Sequence, residues 1–128
     1  MTIKVSRNRI DLGTIGMKNY GETVNALGNV TGAVTIDYSL GSVVTATATG
    51  NVTWTITNPP ASGKAGSLTL ILTSGGAYTQ TWMSGVKWSG SVAPVLTTIL
   101  ANPVDVLSFF TLDGGATWIG ALVMLNSS

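Results

Sequence analysis

Between residues 34 and 57 apolar and polar side chains alternate, and that alternation confines the chain to β-structure. Val34, Ile36, Tyr38 and Leu40 are separated by Thr35, Asp37 and Ser39; Val44, Ala46 and Ala48 by Thr45 and Thr47; Val52, Trp54 and Ile56 by Thr53 and Thr55. A repeat of two places one set on each face of a strand, whereas on a helix the same residues would scatter around the axis. The pattern continues with Leu68, Leu70 and Leu72 opposite Thr69 and Thr73, then with Tyr78, Gln80 and Trp82. Two continuous apolar runs follow, at 104–112 and 118–125.

Turn chemistry separates these runs. Gly50-Asn51, Asn58-Pro59-Pro60, Ser74-Gly75-Gly76 and Asp113-Gly114-Gly115 offer positive or fixed φ, which ends or reverses a strand. Ser74-Gly75-Gly76 and Asp113-Gly114-Gly115 lie between apolar runs, as hairpin loops do. The expectation is an all-β fold: a single antiparallel β-sandwich or jelly-roll-like domain over residues 28–128. Residues 1–27 lack a sustained period and read as an extended basic arm or an irregular first strand, with room for one helical turn at 19–27. The tetrapeptide Gly28-Asn29-Val30-Thr31 recurs as Gly50-Asn51-Val52-Thr53, which marks two similar strand starts rather than a duplicated domain.

Charge narrows the function. Only 9% of the residues are charged, against about 25% in an average soluble domain, while 45% are apolar. A body with so little charge is expected to hide surface against copies of itself or a partner. A membrane helix is excluded, because the most apolar stretch is broken by Pro94, Pro103 and Asp105 and a span takes roughly 20 uninterrupted apolar residues. Net charge of +1 gives no bulk attraction to nucleic acid or acidic lipid. The charge is uneven: Lys4, Arg7, Arg9 and Lys18 against Asp11 and Glu22 leave the first 22 residues at +2, and the remainder stands at −1. Those four cations are the candidates for attachment to an acidic neighbour.

Little in the chain suggests catalysis. With no cysteine there are no disulfides and no thiolate sites, and with no histidine there is no Ser-His-acid triad. The acids Asp11, Glu22, Asp37, Asp105 and Asp113 are spread too widely to nominate a glycosidase pair. Asp113 reads as the opening of a tight turn; a calcium ion needs ~6–8 oxygens, and sequence does not decide whether any Asp binds one. The glycine clusters lack the Lys-Ser/Thr ending of a phosphate loop. The expectation is a non-enzyme with no cofactor and no metal. The amino terminus lacks the pattern of a signal peptide, so synthesis in the host cytoplasm is expected. Of four tryptophans, Trp54 sits in an alternating run and is expected in the core. Trp82, Trp88 and Trp118 stand near loops and are candidates for an oligomer interface or the core, or for stacking on a glycan.

Longer segments carry a family likeness. Gly32-Ala33-Val34-Thr35-Ile36-Asp37-Tyr38-Ser39-Leu40-Gly41 resembles the Gly-x-x-x-Ile-Asp opening of a β-domain found in tailed-bacteriophage virion proteins. Residues 50–60 and 69–73, Thr81-Trp82, Val86-Lys87-Trp88, Ala93-Pro94, Asp105-Val106-Leu107-Ser108-Phe109-Phe110-Thr111 and Asp113-Gly114-Gly115-Ala116-Thr117-Trp118-Ile119-Gly120 resemble later parts of the same domain, in the same order. The likeness covers residues 28 to about 122. It implies a structural virion component with no catalytic residues. A small β-domain behind a short basic arm is similar to a capsid decoration (cement) protein, which implies a homo-oligomer, expected to be a trimer, bound to the major capsid protein on the capsid exterior. The alternative it implies is a tail-fibre or appendage module that recognises a host-surface glycan.

Overall fold

A computed structural model describes residues 13–126. Seven strands form one sheet among them: β1 (Val24–Asp37), β2 (Val43–Thr57), β3 (Gly66–Thr73), β4 (Gln80–Thr81), β5 (Val86–Lys87), β6 (Val104–Thr111) and β7 (Trp118–Met124). The spatial order is β1-β2-β3-β6-β7-β5, with β4 also paired to β2. The described elements are strands and short 3-10 turns, so the all-β expectation holds. No helix among the described residues is long and apolar enough to cross a membrane.

Pairing is mixed rather than purely antiparallel. β1 and β2 run parallel from Val24↔Val43 to Asp37↔Thr57, yet only residues 38–42 connect them. A straight strand as long as β1 would carry the chain about 43 Å. The connection can bring it back no more than about 22 Å. β1 must therefore bend back on itself, and the chain advances as a coil. The register slips show where it bends: between Ala26 and Gly28, and between Val30 and Gly32. Gly28 and Gly32 have φ of 71° and 72°, which a side chain would resist. In β2, Thr49, Gly50 and Asn51 together face the single residue Thr31. Gly50 lies so close to Thr31 that a Cβ would collide with its hydroxyl, and Thr49 Oγ1 donates to Val30 O at 3.2 Å. Gly50-Asn51 thus bends one long strand instead of separating two.

The third turn of the coil is split. Val43↔Thr69 to Thr47↔Thr73 pairs β3 with the first half of β2, and Val52↔Gln80 with Thr53↔Thr81 pairs β4 with the second half. Direction then reverses. β6 is antiparallel to β3, and β7 returns against β6 through the turn at Asp113-Gly114-Gly115, so this predicted hairpin forms. Buried Thr111 braces it: Thr111 Oγ1 donates to Asp113 Oδ1 at 2.9 Å and accepts from Gly115 N at 3.0 Å. Ser74-Gly75-Gly76 does not make a hairpin, because β4 pairs with β2 and not with β3.

The core fills the inside of the coil. Val44, Ala46, Ala48, Val52 and Trp54 of β2 all point into it, on both sides of the bend. Leu68, Leu70 and Leu72 of β3 and Leu107 and Phe109 of β6 meet them. One inward row crosses five strands' width in register, Asn25, Val44, Leu70, Leu107 and Leu122. It begins on a polar residue, and Asn25 Nδ2 is buried without a hydrogen-bond partner. Fully burying an aliphatic side chain is worth about 1.5–3 kcal/mol, so these rows hold the coil closed.

Candidate functional site

Trp118 lies at the start of β7 with 2% of its surface exposed, so it offers no ring face to a partner. Trp54, expected in the core, is 1% exposed, and its Nε1 donates to Gln80 Oε1 at 2.8 Å. Trp82 and Trp88 are half-buried and belong to the same aromatic cluster. Trp82 stacks on Trp54 at 6.2 Å and 12°, and meets Trp88 edge-on at 5.7 Å; both approach Phe109, at 5.6 and 5.5 Å. These spacings are those of favourable aromatic pairs. Trp88 also covers the backbone of β7: a Cβ on Gly120 would come within 2.6 Å of the indole. What remains open is the rim of Trp82, which lines a crevice of about 170 Å³ with Tyr78, Gln80 and Pro94, and the side of Trp88 beside Lys87 and Ser91.

A more exposed feature is the irregular segment 92–103. Val92, Val95 and Ile99 are 70%, 82% and 87% exposed. The segment is nevertheless fastened. Asp105, wholly buried on β6, accepts from Thr97 N at 2.9 Å, from Thr97 Oγ1 at 2.7 Å and from Asn126 N at 3.1 Å. Ser74 N donates to Pro103 O at 2.7 Å, and Leu96 is buried as an anchor. Gly75 and Gly76 lie directly beneath: a Cβ on Gly75 would meet Leu72 and Leu96, and one on Gly76 would strike the Thr97 carbonyl. The glycines read from sequence as a hairpin turn serve instead to let this loop approach. Between it and the end of β7 runs a groove of about 430 Å³ lined by Val95, Ile99, Leu125 and Asn126 among others. The sequence held a signal for this loop, four large apolar residues between two prolines without alternation, but alternation is what marks a strand and its absence marks no particular structure.

The outward face of β3, β6 and β7 mixes apolar and hydroxyl side chains: Ile71, Val104, Val106, Phe110, Ile119 and Val123 lie on it with Ser67, Thr69, Thr73 and Ser108, and none of its side chains is charged. The described acids sit elsewhere: Glu22 on the segment before β1, Asp37 and Asp113 at turns, and Asp105 buried. Asp37 accepts from the Ser39 hydroxyl at 2.6 Å, Ser39 N at 3.0 Å and Asn58 Nδ2 at 2.9 Å, tying the exit of β2 to the end of β1. The Ser39 hydroxyl, then Asn58 and Ser39 N, lower its pKa below the ordinary Asp value. Asp113 is lowered chiefly by Thr117 N, which donates to it at 2.8 Å. Asp113 is therefore occupied as a turn-former. Among the described residues no three His, Cys, Asp or Glu side chains gather where a metal could sit.

Of the proposed attachment cations, Lys4, Arg7 and Arg9 lie outside the described residues, and Lys18 is exposed. Residues 13–21 stand away from the body: a Cβ added at Gly13, Gly16 or Gly21 would meet nothing within 4 Å. Ile15, Met17 and Tyr20 are 58%, 61% and 66% exposed. The segment is pinned at its base, where Ser42 Oγ donates to Glu22 Oε1 at 2.9 Å. The short helical turn allowed at 19–27 is absent; β1 begins at Val24. Compared with protein-family models, with curated proteins and with solved structures, the chain matches none of them.

Proposed function

We propose that the protein is a non-enzymatic structural component of a bacteriophage virion, a capsid decoration protein that reinforces the shell as a homo-oligomer, with three copies the expected number. The observation that carries this reading is the fastened apolar loop at 92–103, with a charge-free outward face of the sheet as a second uncharged surface. Side chains as exposed as Val95 and Ile99 gain when association removes them from water, at about 25 cal/mol per Å². The outward face, eight residues by three strands, covers roughly 400 Å². That is about half of what each partner gives to a standard interface, and the loop is a separate apolar surface. The likeness of residues 28 to about 122 to tailed-phage virion β-domains, and the basic residues Lys4, Arg7, Arg9 and Lys18 as contacts to an acidic capsid neighbour, support the virion reading. Cryo-microscopy and quantitative mass spectrometry of the particle test it: the protein should decorate the capsid exterior at high copy number, and a few copies at the tail alone would refute the assignment.

One observation favours a second reading, a tail-fibre module gripping a glycan. The crevice under Pro94 presents Trp82, Tyr78 and Gln80 together, an aromatic edge beside amide groups. Glycan-array binding that disappears in Tyr78→Ala while the fold is retained would select this reading over the first.

A further inference from the structure

We infer that residues 13–18 of one copy dock in the groove between the 92–103 loop and the end of β7 of the next copy, joining copies head to tail in a ring. This rests on the reading of the protein as a self-assembling unit, though not on where in a particle it sits.

Four observations lead there. The segment has apolar side chains with little to cover them: Ile15 and Met17 are more than half exposed, and a Cβ added at Gly13 or Gly16 would meet nothing within 4 Å. The groove presents Val95, Ile99 and Leu125, at 82%, 87% and 48% exposure, with no charged residue in its lining. Ile15 and Met17 are two residues apart, so on an extended chain both face one side while Thr14 and Gly16 face away. Finally, among the described residues β5 pairs with β7 only at Trp118 and Ile119, and no strand pairs with that edge beyond Ile119. An added strand can therefore bond to the edge of β7 while its alternate side chains fill the adjoining groove, the usual logic of strand addition.

The placement also sets the kind of contact. The segment leaves from β1, at one end of the path β1-β2-β3-β6-β7, and the groove lies by β7, four strand spacings or about 19 Å away across the sheet. Setting the β1 edge of one copy beside the β7 edge of the next brings donor and groove together without crossing a sheet. Such a contact joins two different patches and repeats until the rotation closes. Three copies close it under the function proposed above.

The chain has no cysteine, which allows a clean test. In the full-length double variant Met17→Cys with Thr98→Cys, both exposed positions, mild oxidation of purified protein should give a covalent closed trimer with no free thiol. A disulfide within one chain, a covalent dimer that goes no further, or no cross-link would overturn the inference. Met17→Cys alone should remain uncross-linked; if it dimerises as readily, the segments meet each other and not the groove, and the inference fails. Ile15→Asp with Met17→Asp should reduce the mass in ultracentrifugation about threefold with an unchanged circular dichroism spectrum, whereas an intact oligomer would overturn it. A cross-linked ring in a protein absent from the capsid would sink the decoration role alone.

Discussion

Asp105 holds Thr97 twice, through the backbone N–H on one oxygen and the hydroxyl on the other, at 2.9 and 2.7 Å. Asp105 is fully buried while loop residues such as Val95 and Ile99 project into solvent, so this pair is one of the ties that give the apolar loop a fixed shape. Thr97→Val should lower stability by about 1.5–3 kcal/mol, the range for a hydrogen bond to a carboxyl group, as read from urea midpoints. Asp105→Ala strands three donors and should lose at least about 3 kcal/mol. A loss below 1 kcal/mol in both would show that the loop is held by packing alone.

Ile99→Asp and Val95→Asp change side chains that are more than four-fifths exposed. Stability of the isolated chain should stay within about 0.5 kcal/mol. Sedimentation should nevertheless shift from oligomer to monomer, since a charge placed in an apolar interface has no partner. An unchanged sedimentation coefficient would remove the loop from the interface.

Gly120→Ala forces the Trp88 indole off the backbone of β7, because the new Cβ would lie 2.6 Å from the ring. Overpacking of this kind costs about 1–3 kcal/mol. Tryptophan emission should move to longer wavelength as the ring is displaced toward water. A blue shift, or no shift, would mean that the ring and the strand yield together.

Asn25→Val replaces a buried amide nitrogen that has no partner, at the head of the row formed with Val44, Leu70, Leu107 and Leu122. An unsatisfied buried donor carries a penalty of about 1–3 kcal/mol, so the variant should melt at a higher temperature. A lower melting temperature would show that this nitrogen is serving a partner in the assembled protein.

Acid sensitivity follows from Asp37 and Asp113. Both have a folded pKa below the ordinary Asp value, Asp37 chiefly through the Ser39 hydroxyl and Asp113 chiefly through Thr117 N. A depressed folded pKa contributes stability that is present above the unfolded pKa, about 3.9, and is lost as pH falls through the folded value. With no histidine to titrate, denaturant midpoints should be flat from pH 5 to 8 and decline below about pH 4. Asp37→Asn and Asp113→Asn should each make that decline shallower.

Residue by residue, orientation was legible in the sequence and partnership was not. Period two put Val44, Trp54 and Leu70 on an apolar face that is the interior one, since alternation depends only on local backbone geometry. It says nothing about which strand lies alongside, and the parallel coil of β1 and β2 went unseen. Gly28, Gly32 and Gly50 carry the bends, but in sequence a glycine that bends a strand is indistinguishable from one that ends it. Asp113-Gly114-Gly115 was readable as a hairpin because its turn is local. Ser74-Gly75-Gly76 was misread because the reason for its glycines, the approach of Leu96 and Thr97, lies some twenty residues downstream. For the same reason Trp118 could be nominated for a surface it does not reach.

The winding of β1 onto β2 sets the order of events as the chain folds. The pairing of β6 with β7 closes a short loop, whereas Val24↔Val43 and Val43↔Thr69 each wait for a much longer one. Loop closure must be met before distant pairing returns anything, so a fold of this kind belongs among the slow ones, in milliseconds to seconds. The β6-β7 hairpin and the β1-β2 coil close over the shorter loops, and β3, which must meet Val43 at Thr69 and Val104 at Thr73, joins the two last. The groove beside the 92–103 loop is complete only when β3 has set Gly75 and Gly76 beneath that loop, which makes finished folding the clock that releases the chain for assembly.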